Sequence, residues 1–186
     1  ILDPFVNNQP YVGDPDPVRR MAGDLHNAYN TAAVNANALG KSSLDVALAG
    51  DAWITAMNKG IAVMNPFLPG ALSGFQVDLW DSNALDACCT TPIGYHPSVY
   101  GAYLNGLVLF EQITGIDPRT LHDETDPNST TSAAFSLGIS PDIAAALERV
   151  AALTVAAGGP VPEPASLVLL LTGLGMLGFM ARRRAA

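Results

Sequence analysis

Residues 44–53 read Leu44-Asp45-Val46-Ala47-Leu48-Ala49-Gly50-Asp51-Ala52-Trp53. The first six form a short apolar run bounded by a turn, which is the pattern of a buried strand. Gly50 and Asp51 supply the turn, and a short helix is expected from Ala52 to Lys59, carrying Trp53. A second apolar patch, Phe75 to Trp80, reads as another strand. Three longer helices surround these runs. Helix, strand, helix, strand, helix is the order of an α/β sheet with covering helices. Two strands are few for an open sheet, which averages about five or six. The reading therefore expects that an N-terminal part of the domain precedes Ile1.

The helices are marked by their ends. The first starts at Asp16-Pro17, an N-cap followed by proline at the first helical position. Its stripe is Val18, Met21, Leu25, Ala28 and Ala32, and it frays near Asn37 to Gly40. The second is expected from Pro97 to Thr114, with Gly115 as a left-handed C-terminal residue. Its stripe is Val99, Tyr103, Leu107, Phe110 and Thr114, widened by Leu104 and Val108. The third has Ser140 as N-cap, Pro141 next and Asp142 favouring the helix dipole. Ile143, Leu147, Val150 and Thr154 form its stripe, and Gly158 ends it.

Of the 186 residues, 49% are hydrophobic and 14% charged. Such a chain has enough apolar surface to fold and too little charge for a coiled coil. Its formal charge is −8, from 9 Lys and Arg against 17 Asp and Glu. Three of those cations are Arg182, Arg183 and Arg184, so the body is more acidic still. Nucleic-acid binding needs clustered cations, and this balance excludes it.

The C-terminus carries the most specific pattern. Gly158-Gly159-Pro160-Val161-Pro162-Glu163-Pro164 leads into an uncharged run from Ala165 to Ala181, then Arg182-Arg183-Arg184. A run of that length is at the short end for a membrane-spanning helix, which needs about 17–25 residues. The arginines are expected to stay on the cytoplasmic side, which places the body outside the cytoplasm. Prolines ahead of the run keep the backbone extended and open to a protease. Pro-Glu-Pro, an apolar Leu/Gly-rich segment and a terminal Arg cluster together resemble a PEP-CTERM sorting signal. That resemblance implies recognition by an exosortase, a membrane-embedded protease, and export to the envelope of a Gram-negative bacterium making extracellular polysaccharide.

Three histidines are candidates for chemistry. His26 reads as a solvated helix residue, and His122 as part of an acidic loop with Asp123, Glu124 and Asp126. His96 stands in Gly94-Tyr95-His96-Pro97-Ser98, where a loop meets a helix. It is either a helix-capping histidine or a site residue, since loops at such junctions often carry function. The string His96-Pro97-Ser98-Val99-Tyr100-Gly101-Ala102-Tyr103-Leu104, with Ile113-Thr114-Gly115, resembles the C-terminal block of SGNH-type hydrolases. Ala49-Gly50-Asp51-Ala52-Trp53 resembles a strand-to-helix turn of the same group. The resemblance implies a flavodoxin-like three-layer domain. It also implies His96 as general base, with an acid fixing its tautomer. Position 93 is Ile, where that group has Asp, so the expected acid is Asp81, with Asp86 next. The Gly-Asp-Ser nucleophile block of that group is missing from residues 1–186, and Gly50-Asp51 is followed by alanine. Ser98 lies too close to His96 to be its nucleophile and is expected in the first helical turn. Cys88 and Cys89 lack a matching histidine pair, so no zinc site, and no other metal or cofactor, is expected.

The combined expectation is an α/β chain. Residues 1–155 are a partial SGNH-type domain, 156–164 a linker, and 165–186 a transmembrane helix with a basic tail. Its activity is hydrolysis of an ester, such as an acyl group on a polysaccharide, by a Ser-His-Asp mechanism in the full-length product. Its partners are the exosortase and the membrane, and its place is the bacterial inner membrane, single-pass, with the body outside. The alternative is a non-enzymatic envelope protein on a degenerate hydrolase scaffold.

Overall fold

Asp16 opens α1, Pro17–Ala38, by accepting a hydrogen bond on its side chain from the Arg19 N–H. Its N-cap and the proline after it stand where the sequence places them. The computed structural model describes residues 11, 13–40, 45–66, 74, 76–81, 96–121 and 132–158. Within these, α2 spans Ala49–Asn58, α3 Val99–Thr114, α4 Ala133–Ser136 and α5 Pro141–Ala157, with a 3-10 turn at Pro118–Leu121.

The core lies where α2 and α5 pack on α3. Leu104 and Val108 of α3 and Ala144, Leu147, Val150 and Ala151 of α5 are almost wholly buried. Leu79, also fully buried, closes the cluster from the segment that precedes α3. The α3 helix ends at Gly115 in the left-handed conformation (φ 69°), which a residue with a Cβ adopts only under strain. Its start differs from the expectation. Ser98, not Pro97, is adjacent to the helix, and its Oγ accepts from the N–H groups of Tyr100 and Gly101. The same hydroxyl donates to the Asp78 carbonyl at 2.6 Å, tying the helix start to the 76–81 segment.

The α/β expectation is overturned. The described residues are mostly helical and form no sheet; the extended pairing among them is two isolated bridges, Ala62 with Val77 in parallel and Trp80 with Pro97 antiparallel. A flavodoxin-like three-layer domain is therefore not this chain's architecture. The expected strand at 44–49 fails for a visible reason. Residues 45–47 are irregular and Ala49 already belongs to α2, whereas Leu44 lies outside the described residues. The polar backbone of this stretch is met by side chains, the first being Asp45, whose Oδ1 accepts from the Val46 N–H at 2.8 Å. The Leu48 N–H donates to Gln112 Oε1 at 3.1 Å, and Gln112 Nε2 donates to the Val46 carbonyl at 3.2 Å. A buried backbone needs partners, and an amide side chain from α3 supplies both kinds without a neighbouring strand. The second expected strand reduces to the bridges at Val77 and Trp80; Phe75 is outside the described residues.

Among the described residues no helix is long and apolar enough to cross a membrane. The span expected at 165–181 lies outside them, as do Asp86, Cys88, Cys89 and the His122 loop from Asp123 to Asp126.

Candidate functional site

The two residues singled out for catalysis meet through their backbones. The antiparallel bridge between Trp80 and Pro97 brings the Asp81 N–H to the His96 carbonyl at 2.8 Å. On the other side of the bridge the Ser98 N–H donates to the Leu79 carbonyl at 2.8 Å. His96 is exposed and Asp81 half-buried, so this corner is open to solvent at the entry to α3. Asp78, a further acid of the same segment, turns back to accept from the Trp80 N–H at 2.8 Å.

A second arrangement, read from the sequence only as a solvated helix histidine, lies beside this corner. His26 of α1 reaches Asp51 in the first turn of α2, Nδ1 to Oδ2 3.1 Å. An ionised carboxylate only accepts, so Nδ1 carries the hydrogen, and in the neutral ring Nε2 keeps its lone pair. Arg19 and Asn58 form another side-chain pair between the same helices. The two pairs run in opposite order along α1 and α2, so these helices are antiparallel. Between them opens a cavity of about 580 Å³, walled by Met21, Leu25 and Ile54, with Trp53 and Trp80 on one side. The two indoles meet edge to face, centroids 4.7 Å apart at 80°, a favoured aromatic geometry. Trp53 is fixed further by donating from Nε1 to Asn105 Oδ1 at 2.8 Å. The signal for His26 was present in the sequence. It stands four residues after Ala22 and eight after Val18, on the face turned to α2, whereas Ala28 and Ala32 of the expected stripe are exposed.

Deeper in the core, Tyr103 Oη donates to Glu148 Oε1 at 2.9 Å. Burial first, and the Glu148 carboxylate second, push the Tyr103 hydroxyl far up from its ordinary value. It therefore stays a donor and anchors α3 on α5, with no access for a substrate: Tyr103 is 8% exposed and Glu148 2%. Near the end of α3, burial and then the Asp117 charge raise the Glu111 carboxyl, which Arg119 partly offsets. Asp117 itself is held below the usual carboxylate range, chiefly by the hydrogen bond from Arg119. No three His, Cys, Asp or Glu side chains converge among the described residues in a way that could hold a metal ion.

Comparison of the chain with curated proteins and with solved structures gives no match. The expected likeness of the body to SGNH-type hydrolases thus finds no support there, and the absence of a sheet among the described residues stands against it. The tail is different. Residues 160–184 match the model of the PEP-CTERM protein-sorting motif. That stretch contains Pro162-Glu163-Pro164, the uncharged run and the arginine cluster. The chain therefore carries the sorting motif of exported, membrane-associated proteins that an exosortase recognises and processes for the cell surface.

Proposed function

We propose that this chain is an envelope protein whose helical body is presented outside the cell after an exosortase acts at the Pro-Glu-Pro stretch. The observation that carries this reading is the sorting motif at 160–184. Three arginines beyond an uncharged run resist translocation, so the tail stops in the inner membrane with its basic end in the cytoplasm. The body, ending with α5 near Ala157, then lies on the outer face. Gly158-Gly159-Pro160 separates it in sequence from the tail, a spacer that lets a protease reach the Pro-Glu-Pro stretch. The test is fractionation of a host strain with and without its exosortase. Surface-located or released body in the first strain, and membrane-retained chain in the second, support the reading. The same distribution in both strains contradicts it.

A second reading is favoured by the contact between the Asp81 N–H and the His96 carbonyl at 2.8 Å. In it His96 serves as general base and Asp81 as its orienting acid in hydrolysis of an ester, such as an acyl group on an envelope polysaccharide. A neutral imidazole takes the proton of an attacking hydroxyl and returns it to the leaving group. His96→Ala and Asp81→Asn are its test on a chromogenic acyl ester. Measured on the full-length product, turnover that both variants abolish supports it, and turnover unchanged by His96→Ala removes it.

A further inference from the structure

We propose that the cleft between α1 and α2 is a binding site for an uncharged, largely apolar small molecule bearing one hydroxyl group, with His26 as its polar anchor. Three observations carry this. The first is size: about 580 Å³ falls within the range of small-molecule sites, about 300–1,000 Å³. The second is the wall, which combines aliphatic side chains with an edge-to-face tryptophan pair held in place by Asn105. The third is the single ionisable pair at the cleft. Asp51 takes the Nδ1 hydrogen of His26, and in the neutral ring Nε2 is then an acceptor, the complement of a ligand hydroxyl. Among the described residues no Lys or Arg lines the cleft, and a carboxylate stands at it in a chain of formal charge −8, which disfavours an anionic ligand. Another cavity, between α3 and α4, has its Tyr103 hydroxyl engaged by Glu148, and a third, beside Tyr29 and Asp45, has no imidazole in its wall.

The chain has two tryptophans, and both line this cleft, so its intrinsic fluorescence reports on the site directly. The probe is bromohexanol, an apolar chain with one hydroxyl and a heavy atom that quenches indole on contact; bromohexane is its partner without the hydroxyl. Titrated into the purified full chain, bromohexanol is expected to give saturable quenching. His26→Phe keeps the ring and removes the acceptor. It should weaken bromohexanol by about three- to tenfold, the value of one hydrogen bond, and leave bromohexane unchanged. Gly50→Leu fills the cleft from the first turn of α2, where a Cβ meets nothing within 4 Å. It should remove saturation while the far-ultraviolet helical signal is kept, since leucine is the better helix former. Quenching that is linear in the probe overturns the proposal. So does saturation that survives Gly50→Leu, or a His26→Phe effect equal for both probes. Probe held by the apolar tail survives both variants and so counts against the cleft.

Discussion

The α3–α5 pair and the α1 helix are built from similar material and are used differently. Across the first, Leu104, Val108, Leu147, Val150 and Ala151 lose nearly all their solvent exposure, and a tyrosine–glutamate hydrogen bond is sealed among them. Along the 22 residues of α1, Val18 and Met21 are the buried ones, and Tyr29 and Val34 stay exposed, as does Leu39 just after the helix. What holds α1 is a pair of polar links to α2 and the walls of the cleft between them. Stability thus belongs to the α3–α5 interface, and the accessible polar chemistry to the α1–α2 flank.

Leu147→Ala attacks the first region where it is fully buried. It is expected to cost about 2–5 kcal/mol in urea unfolding, through lost burial and the cavity left behind. A loss under about 1 kcal/mol would dissolve the distinction between the regions. Gly101→Ala probes the close approach of α3 to its neighbours. A Cβ there runs into the Leu79 carbonyl and comes within 2.7 Å of Trp53 Cζ2. Overpacking of this kind costs about 1–3 kcal/mol, and tryptophan fluorescence should shift with it because Trp53 must move.

A smaller, pH-dependent effect is expected at Glu111. Its Oε2 is buried with no hydrogen-bond partner among the described residues, and its carboxyl is raised by burial. A raised folded value means that the stabilising contribution is complete below the ordinary carboxylate range and is lost as pH rises through the raised value. Glu111→Gln should therefore flatten the fall in urea midpoint as pH rises above the ordinary carboxylate range. A steeper fall in the variant would reverse the sign. The smallest effect is expected from Val34→Ala on α1. That side chain is 66% exposed, and its loss should change stability by no more than about 0.5 kcal/mol. A larger cost would mean that something covers this face.

The helices were legible because their ends carry local chemistry. Asp16 caps α1 with its side chain, Pro141 after Ser140 brings no N–H that needs a partner, and Gly115 after Thr114 takes the left-handed turn; each stands at the end it was read to mark. The sheet was misread because Leu44 to Ala49 looks the same whether a strand or a side chain meets its backbone. The partner, Gln112, lies more than sixty residues away, beyond any local pattern. A separation of 25 residues likewise hid the His26–Asp51 link, although His26 lay at helical spacing from Val18. His96 and Asp81 were read as a pair from a resemblance that the fold does not share, yet a backbone bridge does bring them together. The sorting motif of the tail was legible, because its order of prolines, apolar run and arginines is contiguous.

The most direct measurement is the intact mass of the protein recovered from the surface of a host that has the exosortase. Our account expects a chain that ends near Pro162-Glu163-Pro164 and has lost the apolar run with Arg182, Arg183 and Arg184. Surface protein that still carries those arginines would contradict it.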